Sequence, residues 1–70
     1  MTLDQAIVKL YVEVGNNRLR CLLMIVNLYA DNDKPPPELL AARDALSQAH
    51  EGMKPMYKRA CERLFEDIPH

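Results

Sequence analysis

The side chains best suited to chemistry in this 70-residue chain are two cysteines and one internal histidine. Cys21 and Cys61 are far apart in sequence, and neither belongs to a Cys-x-x-Cys or Cys/His spacing that would predict a zinc site. Two distant cysteines do not form a disulfide framework either. If the chain folds back near Lys34, Cys21 lies level with Ser47 or Gln48 and far from Cys61. We therefore expect two reduced, buried thiols, with no metal and no cofactor.

His50 has Glu51 beside it and Asp44 less than two helical turns away. An imidazole next to a carboxylate is a possible acid–base pair. No nucleophile or glycine-rich loop is positioned to join it, and a histidine near a carboxylate on a helix surface is common. We predict no catalytic residue and no enzymatic activity.

Arg18 and Arg20 form the other group to consider, as a contact for an anionic partner. Two arginines without basic neighbours more often lie on a solvated helix edge. The chain has a net charge of −1, whereas nucleic-acid-binding proteins usually carry a basic stripe. We expect no nucleic acid, membrane or small-molecule ligand. The alternative is a small DNA-associated regulator that places basic side chains near phosphates: Arg18, Arg20, Lys58, Arg59 and Arg63.

The elements that must position these residues are indicated by the apolar pattern of the first half of the chain. Two apolar series rise in alternating steps of four and three, which is the rhythm of a helix face. We expect them on roughly opposite sides of one helix, so that the helix needs two neighbours. The first series is Leu3, Ile7, Leu10, Val14, Asn17, Cys21, Met24 and Leu28, and the second is Val8, Val12, Gly15, Leu19, Leu22, Val26 and Tyr29.

The first helix is predicted over residues 3–30. Thr2 and Gln5 form a capping box at its start, and a polar stripe with Leu23 as its one apolar member continues in phase past Gly15. Two alternatives stay open. One is a helix broken at Gly15, and the other is a β-hairpin over residues 8–26, because β-branched and aromatic residues alternate with polar ones there.

Residues 31–37 contain three consecutive prolines and predict a stiff corner, because proline donates no backbone hydrogen bond and disfavours helix in the residue before it. Pro37 can serve as the first residue of a second helix. An apolar stripe then continues to Leu64. Pro55 predicts a kink or short break, so we expect two helical pieces, 37–52 and 55–66, in a single domain of residues 1–70.

These elements predict an all-α fold, an antiparallel helical hairpin of a long helix, a proline-rich corner and a kinked return helix. A chain of this size builds only a marginal core, so we expect two copies to form a homodimer resembling a four-helix bundle. Asn17 either fixes the register of such a dimer, as a buried asparagine does in coiled coils, or faces water beside a bend at Gly15. The residues expected at a dimer or partner interface are Leu10, Val14, Asn17, Cys21, Met24, Met56 and Tyr57.

The outline of residues 2–30, the proline corner and residues 38–66 resembles small phage-encoded helical proteins that take over bacterial host functions. These include anti-quorum-sensing, pilus-inhibiting and anti-CRISPR proteins. The resemblance is one of architecture, and no sequence motif carries functional residues across. It implies a protein that binds a host regulator or motor and blocks its contacts.

The function expected from the sequence is a non-enzymatic protein-binding module or inhibitor that masks a surface of a larger protein. The absence of a signal-like N-terminus and of a long apolar run predicts a cytoplasmic location. A structural subunit of a larger helical assembly is a further alternative, in which a different chain covers the second apolar side of the first helix.

Overall fold

The structure, a computed structural model, describes residues 1–66. Over this range the chain forms two α-helices that pack against each other, and no strand. Residues from the two ends of the described chain meet, since Arg63 contacts Asp4, so the helices are antiparallel. The all-α helical hairpin predicted from the sequence is confirmed, and the β-hairpin over residues 8–26 is wrong.

Helix α1 spans Leu3–Ala30 and runs through Gly15 without a break. The predicted capping box is present: the Thr2 amide donates to Gln5 Oε1 at 2.9 Å, and the Gln5 amide donates to Thr2 Oγ1 at 3.2 Å. These two bonds satisfy backbone donors that a helix start otherwise leaves without partners. The start of α1 is therefore fixed by residues next to it in sequence.

The end of α1 is closed by a Schellman motif, in which one residue takes a left-handed conformation just beyond the helix. That residue is Asn32, with φ of 59°. Its amide donates to the Tyr29 carbonyl at 3.1 Å, and the Asp33 amide donates to the Leu28 carbonyl at 2.8 Å. Asparagine is one of the few residues other than glycine that accept this conformation at low cost.

The proline corner leads directly into the second helix. Pro35 is buried, and the Pro36 carbonyl accepts from the amides of Leu39 and Leu40 at 3.0 and 3.3 Å. Pro37 is the first residue of helix α2, as predicted from its fixed φ and its missing amide proton.

Helix α2 spans Pro37–Glu66 as one element and contains Pro55 in its interior. The interruption expected between residues 52 and 55 is absent. Proline removes the amide that would bond to the Glu51 carbonyl, but Glu51 and Pro55 are both exposed. Water can therefore hydrate that carbonyl, while apolar residues on the other side of α2 pack on α1 and keep the helical path.

The two helices meet along one side of α1 in a regular alternation. In each of the two apolar series, every second residue is turned toward α2 and the residues between are exposed, except that Tyr29 at the end of the second series is exposed like Val26 before it. Both series therefore border the face that α2 covers, and the expectation of two opposite sides is wrong. The residues turned toward α2 are Ile7, Val14, Cys21 and Leu28 from the first series and Val8, Gly15 and Leu22 from the second.

The line at the centre of the contact contains residues that belong to neither series: Asp4, Tyr11, Arg18 and Ile25, at steps of seven. Only Ile25 of these four is a conventional core residue, buried together with Cys21 and Ala60. No large side chain is fully buried, and the molecule measures 54 × 19 × 17 Å. The hairpin is a thin rod with very little interior.

The register between the helices differs from the one expected for a symmetric turn near Lys34. Ser47 meets Arg18, whereas the Cys21 thiol donates to the Leu39 carbonyl at 3.6 Å. Ser47 therefore lies nearly one turn nearer the start of α1 than a symmetric turn predicts.

Candidate protein-interaction surface

Three aromatic rings form a stack at the middle of the rod. The Tyr11 ring lies 4.3 Å from that of His50 and 4.1 Å from that of Tyr57, measured between ring centroids, with interplanar angles of 19° and 15°. His50 and Tyr57 are seven residues apart on α2, about 10 Å along its axis. They therefore cover opposite faces of the Tyr11 ring.

Gly15 makes room for this stack. A Cβ atom at this position would lie 3.1 Å from His50 Nε2 and 3.4 Å from His50 Cδ2. The other ring nitrogen, Nδ1, is buried without a hydrogen-bond partner among the described residues. His50 thus acts as a packed aromatic ring in the contact between helices, and no carboxylate oxygen forms a hydrogen bond with it there.

A groove opens beside the stack on the surface of α2. It has a volume of about 560 Å³ and is lined by Tyr11, Lys54, Pro55, Tyr57 and Lys58; we call these five residues the aromatic groove. Its floor is apolar, and its only charged groups are the two lysine ammonium groups.

A smaller apolar groove of about 200 Å³ lies nearby, lined by Val8, Cys61, Leu64 and Phe65. Cys61 links the two grooves, because it lies beside Tyr57 and its interaction with the Tyr57 hydroxyl raises the pKa of Tyr57 above its ordinary value. Cys61 and Cys21 are both free thiols. They lie far apart along the rod, as expected, since Cys21 contacts Leu39 and Cys61 lies beside Val8.

The basic side chains named from the sequence are not gathered into one patch. Arg18 is half-buried and donates from Nε to Ser47 Oγ at 3.2 Å. Arg20 is exposed and lines a separate polar depression with Glu13 and two asparagines. The structure therefore separates the two arginines that we considered together as an anionic-partner contact.

Arg63 is engaged at the open end of the hairpin. Its Nε and Nη2 atoms donate to the Asp4 carboxylate at 2.7–3.1 Å. These hydrogen bonds hold the pKa of Asp4 below its ordinary value. The pair joins the first turn of α1 to the last turn of α2.

A row of exposed residues follows one edge of α1, beside the face that α2 covers. It begins at Val12 and ends at Ala30, and its spacing alternates between four and three, as in one edge of a coiled coil. One polar residue, Asn16, interrupts it. We call this set the outer row: Val12, Asn16, Leu19, Leu23, Val26 and Ala30.

The residues that we predicted at an interface fall into two groups. Leu10, Asn17 and Met24 are exposed, and they lie on the edge of α1 across from the outer row. The other four are partly or fully covered within the chain itself: Val14, Cys21, Met56 and Tyr57.

Sequence reasoning missed Tyr11 and the outer row. Tyr11 lies between the two apolar series, and an aromatic residue in the line with Asp4 and Arg18 gives no apolar periodicity. Leu23 was a usable signal, because it is the one apolar residue in the polar stripe and it connects Leu19 with Val26.

Residues 1–66 contain no group of three or more His, Cys, Asp or Glu side chains that could hold a metal ion. In the same range, neither helix is long and apolar enough to cross a membrane. Comparison with protein-family models, with curated proteins and with solved structures returned no match for this chain.

Proposed function

We propose that this chain is a non-enzymatic protein-binding module that acts by burying its exposed apolar helix surface against other chains. In this proposal it forms a homodimer through the outer row and masks a surface of a larger protein. The observation that carries the proposal is the imbalance between its apolar surface and its interior.

The thin rod also has a large total surface for its mass. The chain exposes 5464 Å², whereas a folded monomer of 8.0 kDa exposes about 4,500 Å² by the usual scaling of surface with mass. The excess of roughly 1,000 Å² is comparable with the area of about 800 Å² that each partner buries in a standard protein–protein interface.

The outer row supplies the apolar part of that surface. Leu19, Leu23 and Val26 are each more than half exposed, and an apolar row at this spacing is the pattern by which helices pack side by side. Two hairpins joined along this row would make a four-helix arrangement with a shared interior. Asn16 would lie inside the row, in the position where a polar residue fixes register.

The larger partner is proposed from the architectural resemblance to phage-encoded host-takeover proteins. That resemblance supports a bacterial regulator or motor protein as the target and the cytoplasm as the location. The exposed apolar residues outside the outer row support a second contact, since Leu10, Met24 and Phe65 also have more than half of their surface exposed.

The experiment is a comparison of two double variants by size-exclusion chromatography with light scattering and by circular dichroism. Leu19→Glu with Leu23→Glu places two charges in the outer row, where the wild-type side chains are 56% and 62% exposed. Leu10→Glu with Met24→Glu places the same charges on the other edge of α1, where the side chains are 51% and 56% exposed.

We expect a wild-type dimer at micromolar concentration that the first double variant dissociates and the second leaves intact. Dissociation by the second double variant alone would move the dimer contact to the other edge of α1. A wild-type chain that is folded and monomeric at about 100 μM would overturn the proposed dimer, because an interface of standard size normally gives a dissociation constant well below that concentration.

A further inference from the structure

We propose that the aromatic groove binds an acidic segment of the partner protein, in which carboxylates flank an aromatic or branched aliphatic side chain. This inference rests on the proposed function and names the chemistry of the partner. It concerns a surface built mainly by α2, whereas the outer row belongs to α1.

The floor of the groove is held rigid before any partner binds. Tyr11 and Tyr57 are stacked at 4.1 Å, and His50 closes the other face of Tyr11 at 4.3 Å. Gly15 allows His50 to approach α1 this closely. Rigid aromatic side chains lose little conformational entropy on binding, which is one reason that tyrosine is enriched among residues that dominate binding energy.

Pro55 forms one side of the groove. The groove volume of about 560 Å³ lies in the range of sites that hold several side-chain groups. An apolar side chain of the partner fits the tyrosine and proline surfaces.

The charges at the rim favour carboxylates. Lys54 and Lys58 are one helical turn apart, and no acidic side chain lines the groove. Lys54 has a single ion pair, with Glu51 at 3.8 Å, and both side chains are well exposed. Among residues 1–66, Lys58 has no ion pair. Two ammonium groups beside an apolar floor match two carboxylates on either side of an apolar side chain.

The smaller groove offers a further apolar surface to the same acidic segment. It begins at Cys61, which touches Tyr57, and it ends at Phe65, whose side chain is largely exposed. No polar atom is accessible in its lining. A second apolar side chain of the same segment would lie here, beyond the lysine pair.

A second copy of this chain is a poorer occupant. The outer row contains no acidic side chain, so its docking into the aromatic groove would leave both lysines without a counter-charge. The occupant proposed here is therefore a segment of a different protein.

The test uses a short synthetic helical peptide with Glu, Phe, Glu and Leu on one face, added to the full chain labelled with ¹⁵N. We expect saturable binding, with amide shifts at Tyr11, Lys54 and Lys58. A peptide with Gln in place of both Glu residues, and one with Ala in place of Phe and Leu, should each bind more weakly.

The matched protein variants are Lys54→Gln with Lys58→Gln, and Lys9→Gln with Lys34→Gln, which remove the same charge from exposed positions outside the groove. We expect the first pair to weaken peptide binding by about 3- to 10-fold, the size expected for two exposed ion pairs, and the second pair to change it less than 2-fold. Circular dichroism checks that each variant is folded. The peptide series tests the charge dependence of binding on the wild-type protein, where no substitution can affect folding.

Three outcomes would overturn the inference. The first is binding that depends on neither the peptide carboxylates nor the two lysines. The second is shifts confined to the outer row, which would leave the proposed protein-binding function standing with a different site. The third is dissociation of the dimer by Lys54→Gln with Lys58→Gln, measured by light scattering on the same samples, because the occupant would then be a second copy.

Discussion

Gly15 of α1 lies directly against the imidazole ring of His50 on α2, at a distance that would crowd a methyl group. A Cβ atom there would approach Nε2 to 3.1 Å, and His50 cannot move away without disturbing its stack on Tyr11. The absence of a side chain at residue 15 is therefore part of the packing between the two helices.

Gly15→Ala should fail to stabilise the protein, although alanine normally gains about 1 kcal/mol over glycine inside a helix. Gly52→Ala is the matched control, because nothing lies within 4 Å of a Cβ atom at Gly52, and it should gain close to that amount. The free energy of unfolding is measured by urea titration. In a His50→Ala background, Gly15→Ala should recover the gain. Equal stabilisation by the two glycine substitutions in the wild-type chain would contradict the close contact.

Asp4→Asn should remove a pH-dependent part of the stability. The contact with Arg63 lowers the pKa of Asp4 in the folded state, so the stabilisation is present at pH values above the ordinary aspartate range, near 4. It is lost as the pH falls through that range and below it. Urea titrations between pH 7 and pH 3 should therefore show a larger loss for the wild-type chain than for the variant.

Asp33→Asn is the control for this measurement, since Asp33 is exposed in the corner and is not in an ion pair among the described residues. It should retain the wild-type pH dependence. If Asp4→Asn and Asp33→Asn flatten the pH profile equally, the link between the two helix ends contributes nothing specific.

Pro55→Ala should separate stability from partner binding. Alanine restores an amide that can donate to the Glu51 carbonyl and removes the steric conflict of the ring, so we expect the free energy of unfolding to rise by roughly 1–3 kcal/mol. The same change removes an apolar wall of the aromatic groove and should weaken binding of the acidic peptide. A variant that is no more stable than wild type would show that α2 already accommodates the proline without cost.

Asn16→Leu should strengthen association of the chain and make it less specific. A buried asparagine in a helix seam costs stability but restricts register and partner number. We expect tighter dimers together with larger species in sedimentation velocity runs. Asn27→Leu, on the exposed polar side of α1, is the comparison and should leave the distribution unchanged. A weaker dimer from Asn16→Leu would place Asn16 outside the interface.

The ends of both helices could be predicted because each is determined by residues close in sequence. Thr2 and Gln5 cap α1 because the side chain of each accepts from the backbone amide of the other. Pro37 begins α2 because its fixed φ and missing amide proton suit a first helical position. Such local chemistry does not depend on what the rest of the chain does.

Features that depend on the contact between helices could not be obtained in this way. The centre of the contact contains Tyr11, which is stacked between His50 and Tyr57, and Arg18, which donates to Ser47 Oγ. A search for apolar periodicity passes over such residues. The continuity of α2 through Pro55 was missed for a related reason, since packing of the apolar side of α2 on α1, unknown from sequence, keeps the helical path.

The sequence predicted what kind of site to expect, a protein interface, but not where it lies. An excess of apolar helix surface indicated an interface, but its position followed from which half of each series α2 covers. Cys21 and Val14 were assigned to a partner and are covered by the same chain, whereas Leu19 and Leu23 remain open.

The two helices are linked covalently at only one end of the rod, and this difference between the ends determines where unfolding begins. At the corner, α1 and α2 are joined by a few residues, so pairing there closes a short loop at a low cost in chain entropy. The Asp4–Arg63 contact joins residues 59 positions apart, so it closes a loop of nearly the whole chain at a higher cost. Pairing of α1 with α2 should therefore begin beside the prolines and proceed toward the termini. Local unfolding should begin at the termini and proceed toward the prolines. The aromatic groove lies in the half of the rod nearer the termini, which should unfold first. A partner bound there would therefore also hold the two helices together.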